Sequence, residues 1–466
     1  MASAAAVGTR APYTRARSWL ATPLLVVLIP TLVAAILALP FLAVFSFVPI
    51  LGFIALPSVL SIAVFSLYAL PWILYLIFAQ DDPPPSVPLP YLPYSPYKCL
   101  KITSASFQFL RDLIGSGYIA LWFDLQIKRF AVLSGKDGSV YVQRNIPYAE
   151  GFTANKLDIY RPEGYDPVTS NVEAPVIVLV GGANWTLWNK TLGAQIALRL
   201  RRLGYCVVVP DLRQSPAKTP EMVTDLRLAL EWVGDFIKGF GGDSDALYIL
   251  GYGSGAHLAS LTVVQDAVVR SRDKYTALHR TPASPGKLST PDGSSPIQIS
   301  AGIRRCSIWG EHARLPPIAG MILVAGVFDV IKQLRFEAKQ GVEDISALRR
   351  VCGPSTSTSL LSCPSHLIYG AKEIVDPARL PPRFLIIAGG KDTAVHYTQS
   401  ILLRSLLEGV GVPEVHLKLY RDLTHVGSLC SEYLVPRVRK ITRLMHQTRY
   451  SPLFLSEIEG LISSGY

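Results

Sequence analysis

From Ser18 to Gln80 the chain contains no aspartate, glutamate, lysine or arginine. That absence excludes an ordinary soluble N-terminal region, because soluble domains seldom hold so long an uncharged block. A signal-peptide core is also excluded, since it runs to only about 7–15 residues. A bilayer-crossing helix needs about 20 apolar residues, so the block is long enough for two. The natural spans are "WLATPLLVVLIPTLVAAILALPFLAVFSF" and "IALPSVLSIAVFSLYALPWILYLIF". "VPILGF" between them reads as the turn, with Pro49 and Gly52 as its breakers. Pro30, Pro40 and Pro71 inside the spans should kink them, which membrane helices tolerate. One buried core helix with a long apolar flank is the bland alternative.

Cysteine is sparse and dispersed. Cys99, Cys206, Cys306, Cys352, Cys363 and Cys430 form no C-x-x-C pair, so neither a disulfide scaffold nor a zinc site is supported. Reduced thiols in a cytosolic domain are the expectation. Basic stripes interleaved with aromatics are lacking too. The net charge of +11 therefore reads as solvated surface and a membrane-facing contribution, and no nucleic-acid partner is expected. Arg10, Arg15 and Arg17 precede the apolar block and should keep the N-terminus cytoplasmic. Two spans then return the chain to the cytosolic side. The expected location is integral to a membrane, with the endoplasmic reticulum a candidate; an odd number of spans would reverse the orientation.

The chain divides by composition. Residues 1–17 are a basic N-terminus, 18–80 the membrane region and 81–97 ("DDPPPSVPLPYLPYSPY") a proline-rich linker. Such a segment is an extended, semi-rigid spacer, with a protein partner of the SH3 or WW type as the alternative reading. Residues 98–138 are aromatic-rich and read as a helical juxtamembrane segment. Residues 139–450 alternate apolar runs with helical stretches, "PVIVLVGG", "YCVVVPDL", "ALYILGYG", "IAGMILVAG" and "RFLIIAGG" being the clearest strands. The fold class is α/β, a mostly parallel central sheet with helices on both faces, preceded by an α-helical transmembrane hairpin. Residues 272–300 read as a mobile insertion, 331–380 as an irregular cap and 451–466 as a tail.

"NKLDIYRP", "VLVGGANW", "MVTDLR", "FGGD", "GYGSGAHLA", "GGKDTAV" and Thr424-His425 follow one another in the order and spacing of the α/β-hydrolase fold. Over about residues 140 to 447 the chain resembles the prenylcysteine methylesterases and the related carboxylesterase and formamidase-like branch. An N-terminal membrane segment also fits that group. The resemblance implies a lipid-like carboxylic ester as substrate, already concentrated at the membrane, and no metal or organic cofactor.

Ester hydrolysis on this fold needs a nucleophile, a base, an acid that orients the base, and donors for the oxyanion. The resemblance places the base at His425, after the last strand, and the acid at Asp392. A backbone-satisfied loop histidine and an aspartate capping the next helix are the structural alternatives, and Asp376 is a weaker candidate acid. "VGGANW" resembles an oxyanion loop, with donors at Gly182 and Ala183 and a further one at Gly255; a plain tight turn is the alternative.

What is missing is the nucleophile. The expected pattern is G-x-S-x-G, and the chain reads Gly251-Tyr252-Gly253-Ser254-Gly255. In one register Gly253 is the elbow residue, with no attacking oxygen and with His257 four residues on. In the other Ser254 is the nucleophile, flanked by Ala256, which is small, and Tyr252, which is not. Two functions stay open: a membrane-anchored serine ester hydrolase using Ser254, His425 and Asp392, or an inactive hydrolase fold that binds a ligand or protein. A lipase, sterol-ester or formamide hydrolase is a third reading. Asn184 and Asn189 begin N-x-T sequons, and a glycan on Asn184 would block the pocket, which favours a cytosolic domain.

Overall fold

The computed structural model describes residues 20–79, 90–115, 141–150, 155–165, 173–182, 184–186, 188–279, 299–353, 355–428 and 451–463. They fall into two compact units, Met1–Phe107 with Ala338–Arg350, and Gln108–Glu337 with Val351–Tyr466. The basic N-terminus 1–17 and residues 116–138 of the juxtamembrane segment lie outside the described residues.

In the first unit, α1 (Ala21–Phe45) and α2 (Pro49–Phe78) are each long and apolar enough to cross a membrane. They pack through Ala21, Leu28, Ile73 and Leu76, while Val26, Phe41, Phe53 and Ile54 face outward. Large apolar side chains left exposed along a whole helix suit lipid, not water. The turn is shorter than expected, Ser46–Val48. Pro49 does not break the chain but starts α2, where its fixed φ fits and its missing N–H costs nothing. Gly52 lies inside α2. Helix α3 (Pro96–Gly115) follows the linker, of which 81–89 lie outside the described residues. Residues 338–350, expected within the cap, belong to this unit. Lys98 Nζ donates to Asp344 Oδ2 at 2.6 Å and to Glu343 Oε1 at 3.0 Å, and Tyr75 Oη donates to the same Asp344 oxygen at 2.8 Å.

The second unit is built on one eight-stranded sheet of order β1-β2-β4-β3-β5-β6-β7-β8. The strands are β1 (Val142–Pro147), β2 (Lys156–Tyr160), β3 (Ala174–Val180), β4 (Cys206–Pro210), β5 (Gly242–Tyr252), β6 (Gly320–Val324), β7 (Arg383–Gly389) and β8 (Glu414–Tyr420). β1 pairs antiparallel with β2, and β2 antiparallel with β4. All the remaining pairings are parallel, as the runs of buried Val, Ile and Leu require. Helices α4 (Lys190–Arg202), α5 (Thr219–Phe236), α6 (Ser254–Leu278) and α7 (Thr398–Gly409) connect them.

Three expectations change here. Residues 272–278 are the end of α6, not the start of a loose insertion; 280–298 lie outside the described residues. Residues 331–380 are not irregular but helical, with the eleven-residue helix Val330–Gln340 followed by the short helices Leu348–Cys352, Thr356–Leu361 and Pro364–Gly370. Local capping explains this: Ser355 accepts the Thr358 amide, and Pro364 opens the next helix. Residues 451–463 are no tail. They form α8 (Ser451–Ser463), whose Phe454, Ile458, Leu461 and Ile462 enter the main core beside Leu385 and Val324.

Candidate active site

The site gathers at the carboxyl ends of β3, β5, β7 and β8, where open parallel sheets place their ligands. β5 ends at Tyr252, and α6 begins at Ser254. The single residue between them is Gly253, with φ +56° and ψ −121°. This is a conformation L side chains rarely adopt, and it belongs to the sharp strand-to-helix elbow that exposes a hydrolase nucleophile. The Gly253 amide donates to the Val324 carbonyl on β6 at 2.9 Å, which pins the turn to the sheet.

A Cβ built on Gly253 would lie 3.9 Å from His425 Nε2. The elbow therefore aims residue 253, not 254, at the imidazole. The same Cβ would collide with the Gly182 carbonyl oxygen, so the loop after β3 sits where a side chain would emerge. Ser254 is the first residue of α6 and only 5% exposed. Its hydroxyl accepts the Trp185 amide at 3.2 Å, against the loop after β3.

His425 and Asp392 are brought together. His425 Nδ1 lies 2.8 Å from Asp392 Oδ2, while Asp392 Oδ1 accepts the amides of Ala394 at 2.9 Å and Val395 at 2.7 Å. The carboxylate both caps its own turn and orients the ring, so the two readings of Asp392 are compatible. Burial works against a charged imidazolium, but the facing Asp392 carboxylate outweighs it and raises the His425 pKa above its ordinary value. Asp376 plays no part in this pairing. It accepts the Ala378 amide and caps the turn Pro377–Arg379.

Gly182 stands directly against the elbow, since a Cβ on it would strike Ser254 Oγ. Gly255 lies in the first turn of α6, where a Cβ would strike the Val180 carbonyl. Ala183 lies outside the described residues. Asn184 and Trp185 follow with φ of +53° and +55°, strained values for non-glycine residues. Asn189, the second sequon asparagine, caps α4 by accepting the amides of Thr191 and Leu192.

Two residues enter that motif reading did not assign. Tyr252 is 2% exposed; its hydroxyl donates to the His425 carbonyl at 2.9 Å, and its ring lies 5.5 Å from the imidazole. Trp185 packs edge-on against His257 at 5.4 Å. His257 is fully buried with Nε2 2.7 Å from the Ser362 carbonyl, and burial lowers its pKa to about 4. It is a neutral structural ring that backs the loop. The only sequence signal for Tyr252 or Trp185 is bulk next to a glycine-rich turn.

Sequence comparison meets this geometry. The BD-FAE family model matches residues 157–284. A probable isoprenylcysteine α-carbonyl methylesterase, ICMEL2 of Arabidopsis thaliana, is 34% identical over 29% of this chain and 31% of its own length. The isoprenylcysteine α-carbonyl methylesterase ICME of the same plant is 31% identical over 36% of this chain and 40% of its own. The probable carboxylic ester hydrolase LipM of Mycobacterium tuberculosis is 37% identical over 26% and 28%. The matched stretches thus span well under half of these relatives. With its sheet order and elbow, the chain has the α/β-hydrolase fold, and over residues 157–284 it is similar to the BD-FAE family and, over comparable stretches, to the isoprenylcysteine methylesterases.

Proposed function

We propose that this is a membrane-anchored α/β-hydrolase domain that binds a lipid-like carboxylic ester, such as a prenylcysteine methyl ester, without forming a serine acyl-enzyme. The observation that carries the reading is Gly253 at the elbow, its side-chain direction aimed at His425 Nε2. An acid and an oriented base stand ready, and the elbow residue offers no hydroxyl between them and a substrate carbonyl. The two apolar helices support anchoring, and the arginines before them support a cytosolic domain. The names of the relatives support the ester class.

A second reading keeps Ser254 as nucleophile, as a serine ester hydrolase would require. Its hydroxyl is already engaged by the Trp185 amide and sits on the helix side of the elbow. The two readings separate in one experiment on detergent-solubilised full chain. N-Acetyl-S-farnesylcysteine methyl ester is titrated while tryptophan fluorescence is followed, and the protein is then exposed to a fluorophosphonate and weighed intact. Saturable binding with no phosphonate adduct is expected. An adduct lost in Ser254→Ala overturns the reading in favour of the serine enzyme.

A further inference from the structure

The elbow glycine and the loop opposite it do more than remove a nucleophile. Asp392 accepts the Nδ1 proton of His425, which leaves Nε2 as an acceptor in the neutral ring. The direction set by Gly253 leads toward that nitrogen, 3.9 Å from an ideal Cβ, and the Gly182 carbonyl oxygen crowds the same position. Two hydrogen-bond acceptors therefore face the space beside the elbow, one on each side of the Cβ position, and a water displaced from that position away from the carbonyl and toward Nε2 comes within reach of both. A side chain there is opposed by the carbonyl, whereas a water molecule satisfies both acceptors with its two protons.

We propose that the domain hydrolyses its ester in one step without a covalent intermediate, using a water molecule held between the Gly182 carbonyl and His425 Nε2 as the nucleophile. This rests on the reading above that the site binds a carboxylic ester. With both protons engaged, the lone pairs of the water face the substrate carbonyl carbon. A carbon–oxygen bond forms from water to that carbon, the carbonyl π pair moves onto its oxygen, and one water proton passes to Nε2. The resulting imidazolium is held by Asp392. The amino end of α6, 25 residues long and beginning at Ser254, places its positive dipole end at the developing oxyanion. Collapse re-forms the carbonyl, breaks the bond to the alcohol oxygen, and returns the proton from Nε2 to that leaving group. Ester and water become acid and alcohol, and no further reactant is needed.

A positioned general base contributes about 10²–10⁴-fold, so turnover is slow beside that of a serine esterase but well above the buffer rate. Gly253 then has a positive role, because a Cβ would crowd the water between the Gly182 carbonyl and Nε2.

The test uses full chain in detergent with N-acetyl-S-farnesylcysteine methyl ester. Binding is read by fluorescence, free acid by mass spectrometry, and the acid-quenched protein by intact mass. Acid should accumulate above the buffer rate while the quenched protein stays unmodified. His425→Ala should lower the rate by about 100-fold or more with binding retained. Gly253→Ala should do the same, and thermal unfolding shows whether that variant is folded; if it is not, the His425 variant decides. Binding without acid, or a rate indifferent to His425→Ala, overturns the water step and leaves the ligand-binding reading standing. An acyl adduct on Ser254 overturns both. Loss of binding in the unaltered chain overturns the reading beneath.

Discussion

Asp392 serves His425 with one carboxylate oxygen and two backbone amides with the other. Asp392→Asn keeps an acceptor for the turn but loses the negative charge that raises the His425 pKa. Burial then dominates and the imidazole pKa should fall below its ordinary value of about 6.5. The sign for stability follows. In the unaltered protein the raised pKa stabilises the fold below the unfolded value and loses that contribution as pH rises through the folded one. The variant should lose stability at about pH 5–6 relative to pH 8, read by denaturant unfolding, with histidine NMR titration reporting the ring directly. An unmoved His425 titration would contradict the assignment.

Gly253→Ser places a side chain in a conformation that costs about 1–3 kcal/mol for a non-glycine residue, before its collision with the Gly182 carbonyl is counted. The apparent melting temperature should drop by several degrees, since about 1 kcal/mol moves a domain of this size by roughly 2–4 °C. A serine variant as stable as the natural chain would mean that the loop after β3 does not press on the elbow.

His257 gives the opposite pH dependence from His425. Its depressed pKa means that the folded state resists protonation while the unfolded chain accepts it. Stability is therefore intact above about pH 6.5 and falls as pH drops toward 4, by an order of about 3 kcal/mol at 1.36 kcal/mol per unit. His257→Gln can still donate to the Ser362 carbonyl and lacks the titration. The stability difference between the two proteins should shrink steadily between about pH 7 and pH 4. A constant difference would show that this ring does not titrate in the buried state.

Lys190 links the start of α4 to the sheet, with Nζ 3.0 Å from Asp158 Oδ1 and 2.6 Å from Asn145 Oδ1. Lys190→Met leaves the buried Asp158 carboxylate uncompensated, and breaking such a pair costs about 3–5 kcal/mol. Asp158→Asn on the same background should recover part of the loss, as a double-mutant cycle would show.

Phe454 on α8 is fully buried and stacks on Tyr420 at 5.2 Å. Phe454→Ala should destabilise the second unit by about 3–5 kcal/mol, as for other buried phenylalanines. A change under about 0.5 kcal/mol would return 451–463 to the status of a tail.

How far the sequence could be read depended on whether local pattern and tertiary packing agreed. "PVIVLV" and "RFLIIAG" announce buried parallel strands because they are almost wholly apolar, and they are β3 and β7. Asp392 and His425 stand out in the sequence by their place after β7 and β8, and their side chains pair. The Ser46–Val48 turn was displaced because proline both breaks helices and begins them, and here it begins one. Helix α8 was missed because "SPLFLSEIEGLIS" is short and its apolar face has meaning only once the sheet exists to receive it. The competition between Gly253 and Ser254 turns on one backbone angle, and a positive φ at a glycine is set by the turn as a whole. Trp185 illustrates the limit, since no local preference of tryptophan foretells a left-handed backbone.

The insertion of α8 into the main core also orders events in time. The hydrophobic hairpin ending at Phe78 leaves the ribosome long before residue 451 does. At about 5–20 residues per second the interval is roughly 20–75 s. Until residue 451 is made the growing chain lacks Phe454, Ile458 and Leu461, so the core they fill cannot close. Closure of the core therefore waits for the last residues to be made, and a chaperone has that window in which to shield the unfinished sheet.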